Sequence, residues 1–252
     1  MLACIGCQWQ LKPHSDDDEK TKVTVARFDR MENLYLTTGD YSALQQMNTY
    51  FPMQTRTLIE DVLHIGKVDD PDINTKFLYF FQDSTLQRLL SDVQRQYADM
   101  DDIDEELSDA FERLKDEMPE LELPQVYAQI GSFDQSIVVG PKTLGISLDK
   151  YLGADYPFYQ SNYTDQQRRM MVRSMIVPDC LSFYILSCYP LPAELLESKP
   201  DRDLHMGKIQ WLVNRLTRKE VFTNPSVDAV AQYMQTHSHT SLDELFREIR
   251  QL

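Results

Sequence analysis

The amino-acid sequence predicts an α+β fold: a mostly helical single domain, residues 23–252, with a small, largely antiparallel sheet. Two observations favour this class. Over residues 23–123 apolar side chains recur at helical spacing, and over residues 124–148 they form short runs separated by turn residues. With 252 residues, of which 42% are hydrophobic, the chain is long enough to bury a large core. Its net charge of −15 repels phosphates, so no nucleic-acid partner is expected.

The N-terminus resembles the end of a bacterial lipoprotein signal peptide. Residues 2–7 (LACIGC) are an apolar stretch that closes with a small residue and a cysteine, and polar residues follow at once. The pattern predicts that residues 1–6 are a signal-peptide remnant and that Cys7 carries the lipid. The alternatives are an incidental pair of cysteines and a redox or metal pair formed by Cys4 and Cys7. Metal pairs of this spacing usually occur with a second cysteine pair, which is missing here.

Residues 7–22 are predicted to form an acidic flexible tether. The part at 12–22 (KPHSDDDEKTK) is strongly charged and nearly devoid of apolar side chains, so it has little to bury. No later stretch reaches the roughly 18 uninterrupted apolar residues of a membrane span. We therefore expect the protein to contact the membrane through its N-terminal lipid anchor, on the periplasmic or surface side of the cell envelope.

Two amphipathic helices are predicted between residues 86 and 118. The second carries acidic residues at 101–106, where negative charge suits the positive end of the helix dipole, and Pro119 closes it. A calcium loop is the alternative use of these acids, but its central glycine is missing. The apolar stripes that predict the two helices are Leu86, Leu89, Leu90, Val93 and Tyr97, then Ile103, Leu107, Ala110, Phe111, Leu114 and Met118.

Three short strands are predicted next, at residues 126–130, 136–139 and 144–148. Glycine-containing turns at 131–134 and 140–142 separate them and favour local antiparallel pairing. An aromatic loop is expected at 151–163, and then an apolar helix at 165–188 that is interrupted at Pro178. Helices at about 207–218, 227–234 and 242–249 complete the chain, and Ser241 caps the last one.

The histidines do not form a catalytic or metal-binding set. Residues 65–204 contain none, although helices, a small sheet and then a long helix are the layout in which zincin-type zinc peptidases carry His-Glu-x-x-His. At that place the helix has residues 172–180 (VRSMIVPDC). We therefore expect a scaffold resembling a zincin-type peptidase without the metal motif, with no catalytic residue, metal or cofactor. Cys180 and Cys188 lie too far apart on one helix for a disulfide and are expected to be buried thiols.

Several segments, taken in order, resemble the gliding-motility lipoprotein GldB family of Bacteroidetes. They are residues 27–29 (RFD), 146–153 (ISLDKYLG), 156–159 (YPFY), 176–179 (IVPD) and 206–208 (MGK). The resemblance runs from residue 23 to the C-terminus, although the joint at 218–226 is shorter than in most members. It implies a lipid-anchored envelope protein related to predicted zinc-dependent peptidases. The implied role is non-catalytic: binding a protein partner or an envelope assembly for motility or secretion through a peptidase-like cleft.

The candidate binding cleft consists of Asp149, Lys150, Tyr151, Gly153 and Tyr159. These residues follow the last predicted strand and open the aromatic loop, beside the helix that would have held a metal. Structural roles are the alternative. In that case the charged residues cap a turn or form an ion pair, the glycine supplies a positive φ, and the tyrosines pack.

Two other functions stay open. A glycan-binding envelope lipoprotein would use exposed rings of Tyr151 and Tyr159 to stack on sugars. A hydrolase with unusual metal ligands would use His205 with Asp179. Arg27 and Asp29 are expected to form a buried or half-buried ion pair rather than a binding site.

Overall fold

The computed structural model describes residues 22–248. The predicted signal-peptide remnant, Cys7 and the tether up to residue 21 lie outside the described residues. Within the described part, the region before the sheet is helical, as the sequence pattern predicts. Its helices are α1 (Phe28–Thr38), α2 (Tyr41–Tyr50), α3 (Pro52–Thr57) with a π-helical continuation at Leu58–Val62, α4 (Ile73–Phe80), α5 (Ser84–Gln96) and α6 (Asp101–Glu117).

Local signals set the ends of these helices. Asp40 and Asp83 accept hydrogen bonds from first-turn amides of α2 and α5, which have no partner within the helix. Gly39 ends α1 in a left-handed conformation with φ 70°. The predicted apolar stripes of α5 and α6 are largely buried, so both helices are confirmed.

The sheet has three strands, β1 (Gln125–Gln129), β2 (Ile137–Gly140) and β3 (Thr143–Ser147), in the order β1-β3-β2. Strands β2 and β3 form the antiparallel hairpin that the turn at 140–142 predicts. Strand β1 pairs with β3 in parallel instead, with Gln129 opposite Ser147. Helix α1 packs against β1, and a later helix, α9 (Ile176–Cys188), packs against β2 and β3.

This pairing corrects one part of the sequence prediction. The α+β class with a small sheet is confirmed, but the sheet is mixed rather than largely antiparallel. The reason is the segment between β1 and β2, residues 130–136, which does not turn back beside β1. It passes the end of β3 and leaves room for β3 between the other two strands. Because β1 and β3 are parallel, they end at the same edge of the sheet, where Asp149 follows β3.

The helices after the sheet are α7 (Pro157–Asn162), α8 (Asp165–Met170), α9, α10 (Lys199–Thr217), α11 (Pro225–Thr236) and α12 (Leu242–Arg247). The helix predicted at 165–188 is two helices, and the break falls at 171–175 rather than at Pro178. Pro178 lies in the first turn of α9, where its missing N–H removes no helical hydrogen bond. Pro200 lies in the first turn of α10 in the same way, so that helix begins at Lys199 rather than near Gly207.

Arg27 and Asp29 form the expected half-buried ion pair. Two guanidinium nitrogens of Arg27 donate to the Asp29 carboxylate at 2.8 and 2.7 Å, and Asp29 is buried. Arg27 also donates to the Tyr97 carbonyl at 2.7 Å, which ties the start of α1 to the end of α5. Cys180 is a buried free thiol and Cys188 a half-buried one. Among residues 22–248, no helix has the length and apolar character needed to cross a bilayer.

Candidate functional site

Asp149 is a fully buried carboxylate that holds the segment connecting β1 to β2. Its two oxygens accept hydrogen bonds from the amides of Gly131 at 2.7 Å and Phe133 at 2.5 Å. Ser132 and Phe133 both have positive φ, 56° and 67°, so the segment adopts a backbone conformation that is unfavourable for these residues. Burial raises the pKa of Asp149, whereas the two amide hydrogen bonds act to lower it. Asp149 therefore stabilises residues 130–136, which we call the crossing segment, rather than facing solvent.

A second carboxylate, Glu32 of α1, holds the same segment from another side. Its side chain is fully buried and accepts a hydrogen bond from the Ile130 amide at 2.9 Å. Burial raises the pKa of Glu32 well above its ordinary value, and the nearby Asp149 raises it further. Nothing in the sequence marks Glu32 for this role, since its neighbours along α1 give no sign that an acidic residue of this helix faces the sheet.

Lys150 and Tyr163 hold the far side of the crossing segment. The Lys150 ammonium donates to the Phe133 carbonyl at 3.0 Å and to the Tyr163 hydroxyl at 3.1 Å. It also lies 4.7 Å from the centre of the Tyr163 ring, within cation–π range. The Tyr163 hydroxyl in turn donates to the Phe133 carbonyl at 3.2 Å. Lys150 thus links the crossing segment to the end of α7.

Tyr159 and Tyr151 are buried and fix the backbone of residues 149–152. The Tyr159 hydroxyl donates to the Asp149 carbonyl and accepts from the Leu152 amide at 3.1 Å. The Tyr151 hydroxyl donates to the carboxylate of Asp179, in the first turn of α9, at 2.8 Å. Burial raises the pKa of Asp179 to about 6, although the Tyr151 hydrogen bond acts to lower it.

The backbone of this segment is also tied to α5. The Tyr97 hydroxyl donates to the Tyr151 carbonyl at 2.6 Å, and the Gln96 side-chain amide donates to the same oxygen at 3.2 Å. Gly153 has φ 108°, a conformation that favours glycine, and its amide donates to the Met171 carbonyl at 3.0 Å. Of the five predicted cleft residues, three side chains are therefore interior supports, whereas Lys150 and Gly153 are half-buried.

An open groove lies directly outside these supports. Gly153 borders a pocket of about 420 Å³, and a neighbouring pocket of about 360 Å³ continues from it. The two pockets share Arg88, Tyr156 and Pro157, so they form one groove between α5 and the segment at 152–158, which we call the α5 groove. Its lining residues are Ser84, Thr85, Arg88, Asp92, Arg95 and Gln96 on one side and residues 152–158 on the other.

Charged side chains of α5 form one wall of the α5 groove. Asp92 accepts from Arg95 at 2.6 Å and from the Tyr156 hydroxyl at 3.2 Å, and it lies 3.8 Å from Arg88. Arg88 and Arg95 expose three quarters of their side chains. Sequence reasoning recognised α5 by its apolar stripe but did not assign its polar face. Arg88, Asp92 and Arg95 lie on that face at helical spacing. They form a wall of a groove because residues 152–158 lie against α5 in the folded protein.

Two alternative functions, glycan binding through Tyr151 and Tyr159 and metal-dependent hydrolysis through His205 and Asp179, lack the geometry that they require. The rings of Tyr151 and Tyr159 are buried, so they present no face on which a sugar can stack. His205 contacts the Tyr189 carbonyl at 2.9 Å, just after the end of α9, whereas Asp179 lies in the first turn of that helix. Ten residues of helix separate the two ends by about 15 Å. Within residues 22–248, no three His, Cys, Asp or Glu side chains lie close enough together to hold a metal ion.

Comparison with known proteins identifies the family. The family model described as "Gliding motility protein GldB" matches residues 8–221, which is more than half of the chain. No curated protein matches the sequence, and no solved structure matches the fold. The likeness to a zincin-type scaffold therefore stays a prediction.

Proposed function

The chain belongs to the GldB family of gliding-motility lipoproteins, and from that premise we propose that it is a non-catalytic cell-envelope protein that binds a protein partner through the α5 groove. Family membership supports an envelope-associated, lipid-anchored protein connected with gliding motility. The proposal depends on the groove, because it is an open concave surface beside residues 146–159, whose sequence resembles the GldB family.

The walls of the α5 groove are held in place before any partner arrives. Tyr97 and Gln96 bind the Tyr151 carbonyl, and the Tyr159 hydroxyl binds backbone groups of Asp149 and Leu152. A surface segment fixed in this way loses little conformational entropy on binding, which favours affinity. Loops that a rigid scaffold holds in position are also common binding surfaces. The buried residues 149, 151 and 159 therefore contribute to binding indirectly: they hold the walls of the groove in position and do not contact the partner.

The chemistry of the α5 groove supports binding rather than catalysis. The titratable side chains among its lining residues are Arg88, Asp92, Arg95 and Asp155, together with the Tyr156 phenol. The one half-buried carboxylate, Asp92, is engaged by Arg95 and Tyr156. No lining residue is a histidine, cysteine or lysine that could act as a base or nucleophile at neutral pH.

The proposed anchor is an acylated Cys7, and residues 7–22 would connect it to the fold. Fully extended, these roughly 16 residues span at most about 55 Å, so the α5 groove could reach partners well above the membrane surface. Intact mass spectrometry of the chain purified from its native envelope tests the anchor. A mature N-terminus at Cys7 that carries acyl mass is expected, and an unmodified Cys7 would remove the anchor from the proposal.

Site-specific photo-cross-linking tests the groove. A photoreactive amino acid replaces Asp155 at the exposed rim of the groove or, as a matched control, Gln232 on the exposed side of α11. The full, lipidated chain is cross-linked in its native cells. We expect a discrete protein adduct from position 155 that position 232 does not give. Equal adducts from both positions, or adducts from position 232 alone, contradict the proposal.

A further inference from the structure

We infer that the α5 groove binds an extended acidic segment of the partner, with a carboxylate of that segment on Arg88 and an apolar side chain next to it. The inference rests on the proposed function and adds the chemical class of the bound segment. Three features of the groove carry it: the available hydrogen-bond donors of Arg88, the local charge of α5, and the apolar surface formed by residues 156–158.

Arg88 lies where the two pockets of the groove meet. Among the described residues its ion-pair partner is Asp92, 3.8 Å from the Arg88 Nε, which is too long for a hydrogen bond. Asp92 already accepts from Arg95 at 2.6 Å and from the Tyr156 hydroxyl at 3.2 Å. Within residues 22–248 the planar guanidinium of Arg88 therefore keeps its donors for a ligand, and its fork matches the two oxygens of a carboxylate.

Charge distribution favours an acidic segment at this place. Helix α5 carries two arginines and one aspartate, a net charge of +1, and Asp155 on the facing wall brings the charged lining residues of the α5 groove to a net charge of zero. The next helix, α6, carries nine acidic and two basic residues, a net charge of −7, and the whole chain has −15. An acidic peptide is thus repelled by much of the surface and attracted to the exposed arginines of α5.

The apolar part of the groove offers a contact surface for the apolar side chain that lies next to the acidic residue of the ligand. Phe158 stacks on Phe133 with ring centres 3.9 Å apart, and Tyr156 is held through its hydroxyl by Asp92. Tyr156, Pro157 and Phe158 therefore form a fixed apolar surface next to Arg88. From Ser84 to Gln96 the α5 wall is about 18 Å long, enough for about five or six residues of an extended peptide.

The test measures fluorescence anisotropy of labelled, acetylated hexapeptides with the full chain. In the acidic set Asp or Glu lies beside Leu or Phe, and in the matched set Asn or Gln replaces the acid. We expect the acidic set to bind at least about tenfold more tightly, with an advantage that shrinks as salt is raised. Arg88→Glu should abolish that preference and favour peptides with Lys in place of the acid. Lys115→Glu, at an exposed position near the end of α6, is the control for the same change of charge and should leave the preference intact.

Three results would overturn the inference. The first is equal binding of the acidic and amide sets by the unaltered chain. This measurement does not depend on whether any variant folds. The second is an Arg88→Glu chain with a native circular dichroism spectrum and an unchanged preference. The third is a sulfated glycan that binds as tightly as the acidic peptides and is lost with Arg88→Glu, because the groove would then recognise charge alone. If position 155 still gives adducts alongside any of these results, the proposed function remains supported and only the inference of an acidic segment fails. If position 155 gives no adduct, the proposed function itself is contradicted.

Discussion

Replacing Asp179 by asparagine is expected to stabilise the protein at neutral and alkaline pH but not in acid. In the folded protein burial raises the pKa of Asp179 from 3.8 to about 6. A folded pKa above the unfolded one means that folding favours the protonated acid, so its contribution is fully present below pH 3.8 and is lost as the pH rises through 6. A difference of roughly two pKa units corresponds to about 3 kcal/mol at pH 8. Asparagine removes this loss, and its carbonyl can still accept the hydrogen bond of the Tyr151 hydroxyl.

Urea unfolding of the parent chain and Asp179→Asn at several pH values between about 4 and 8 measures this effect. The difference in the free energy of unfolding should grow with pH, most steeply between about pH 4 and 6, and level off near about pH 7. The control is Asp134→Asn, which makes the same substitution at an exposed aspartate. A constant difference across the range, or a larger gain in acid, would refute the assignment of a raised pKa to Asp179.

Three further outcomes are expected. Asp149→Ala should lower the free energy of unfolding by about 3–5 kcal/mol in urea titrations, because the buried amides of Gly131 and Phe133 lose their acceptor; a loss below about 1 kcal/mol would mean that other groups replace it. Gly207→Ala should cost about 1–3 kcal/mol in the same assay, since its Cβ would lie 2.9 Å from the backbone of Ser226 where α10 meets α11; unchanged stability would show that the two helices can separate. Metal chelation should leave the thermal unfolding midpoint unchanged, and a fall of several degrees would indicate a structural metal.

The local parts of the fold follow from the sequence. The stripes of α5 and α6 are set by side-chain spacing along one helix, and the β2–β3 hairpin is set by a short turn at 140–142. The parallel pairing of β1 with β3 is different, because it depends on where residues 130–136 pass. That path is held by Glu32 and Asp149, 98 and 18 positions away from their amide partners Ile130 and Gly131. Spacing along the chain carries no signal for such contacts.

The candidate site shows the same limit. The site predicted from the sequence lies at residues 149–159, and the α5 groove lies against this segment. The sequence does not reveal that Asp149, Tyr151 and Tyr159 point inward, because charged and aromatic residues after a strand fit a surface loop equally well. The α5 wall was missed for a related reason: an exposed polar helix face looks the same in sequence whether it borders solvent or a groove. Tertiary contacts bring the two walls together: Gln96 and Tyr97 donate to the Tyr151 carbonyl, and the Tyr156 hydroxyl donates to Asp92.

Hydrogen–deuterium exchange of the lipidated chain, alone and in complex with the partner obtained by cross-linking, tests the central claim most directly. We expect slower exchange on binding in residues 84–96 and 152–158, the two walls of the α5 groove, and no change in α11. Protection confined to other helices, with both walls unchanged, would contradict the claim that this groove is the partner-binding surface.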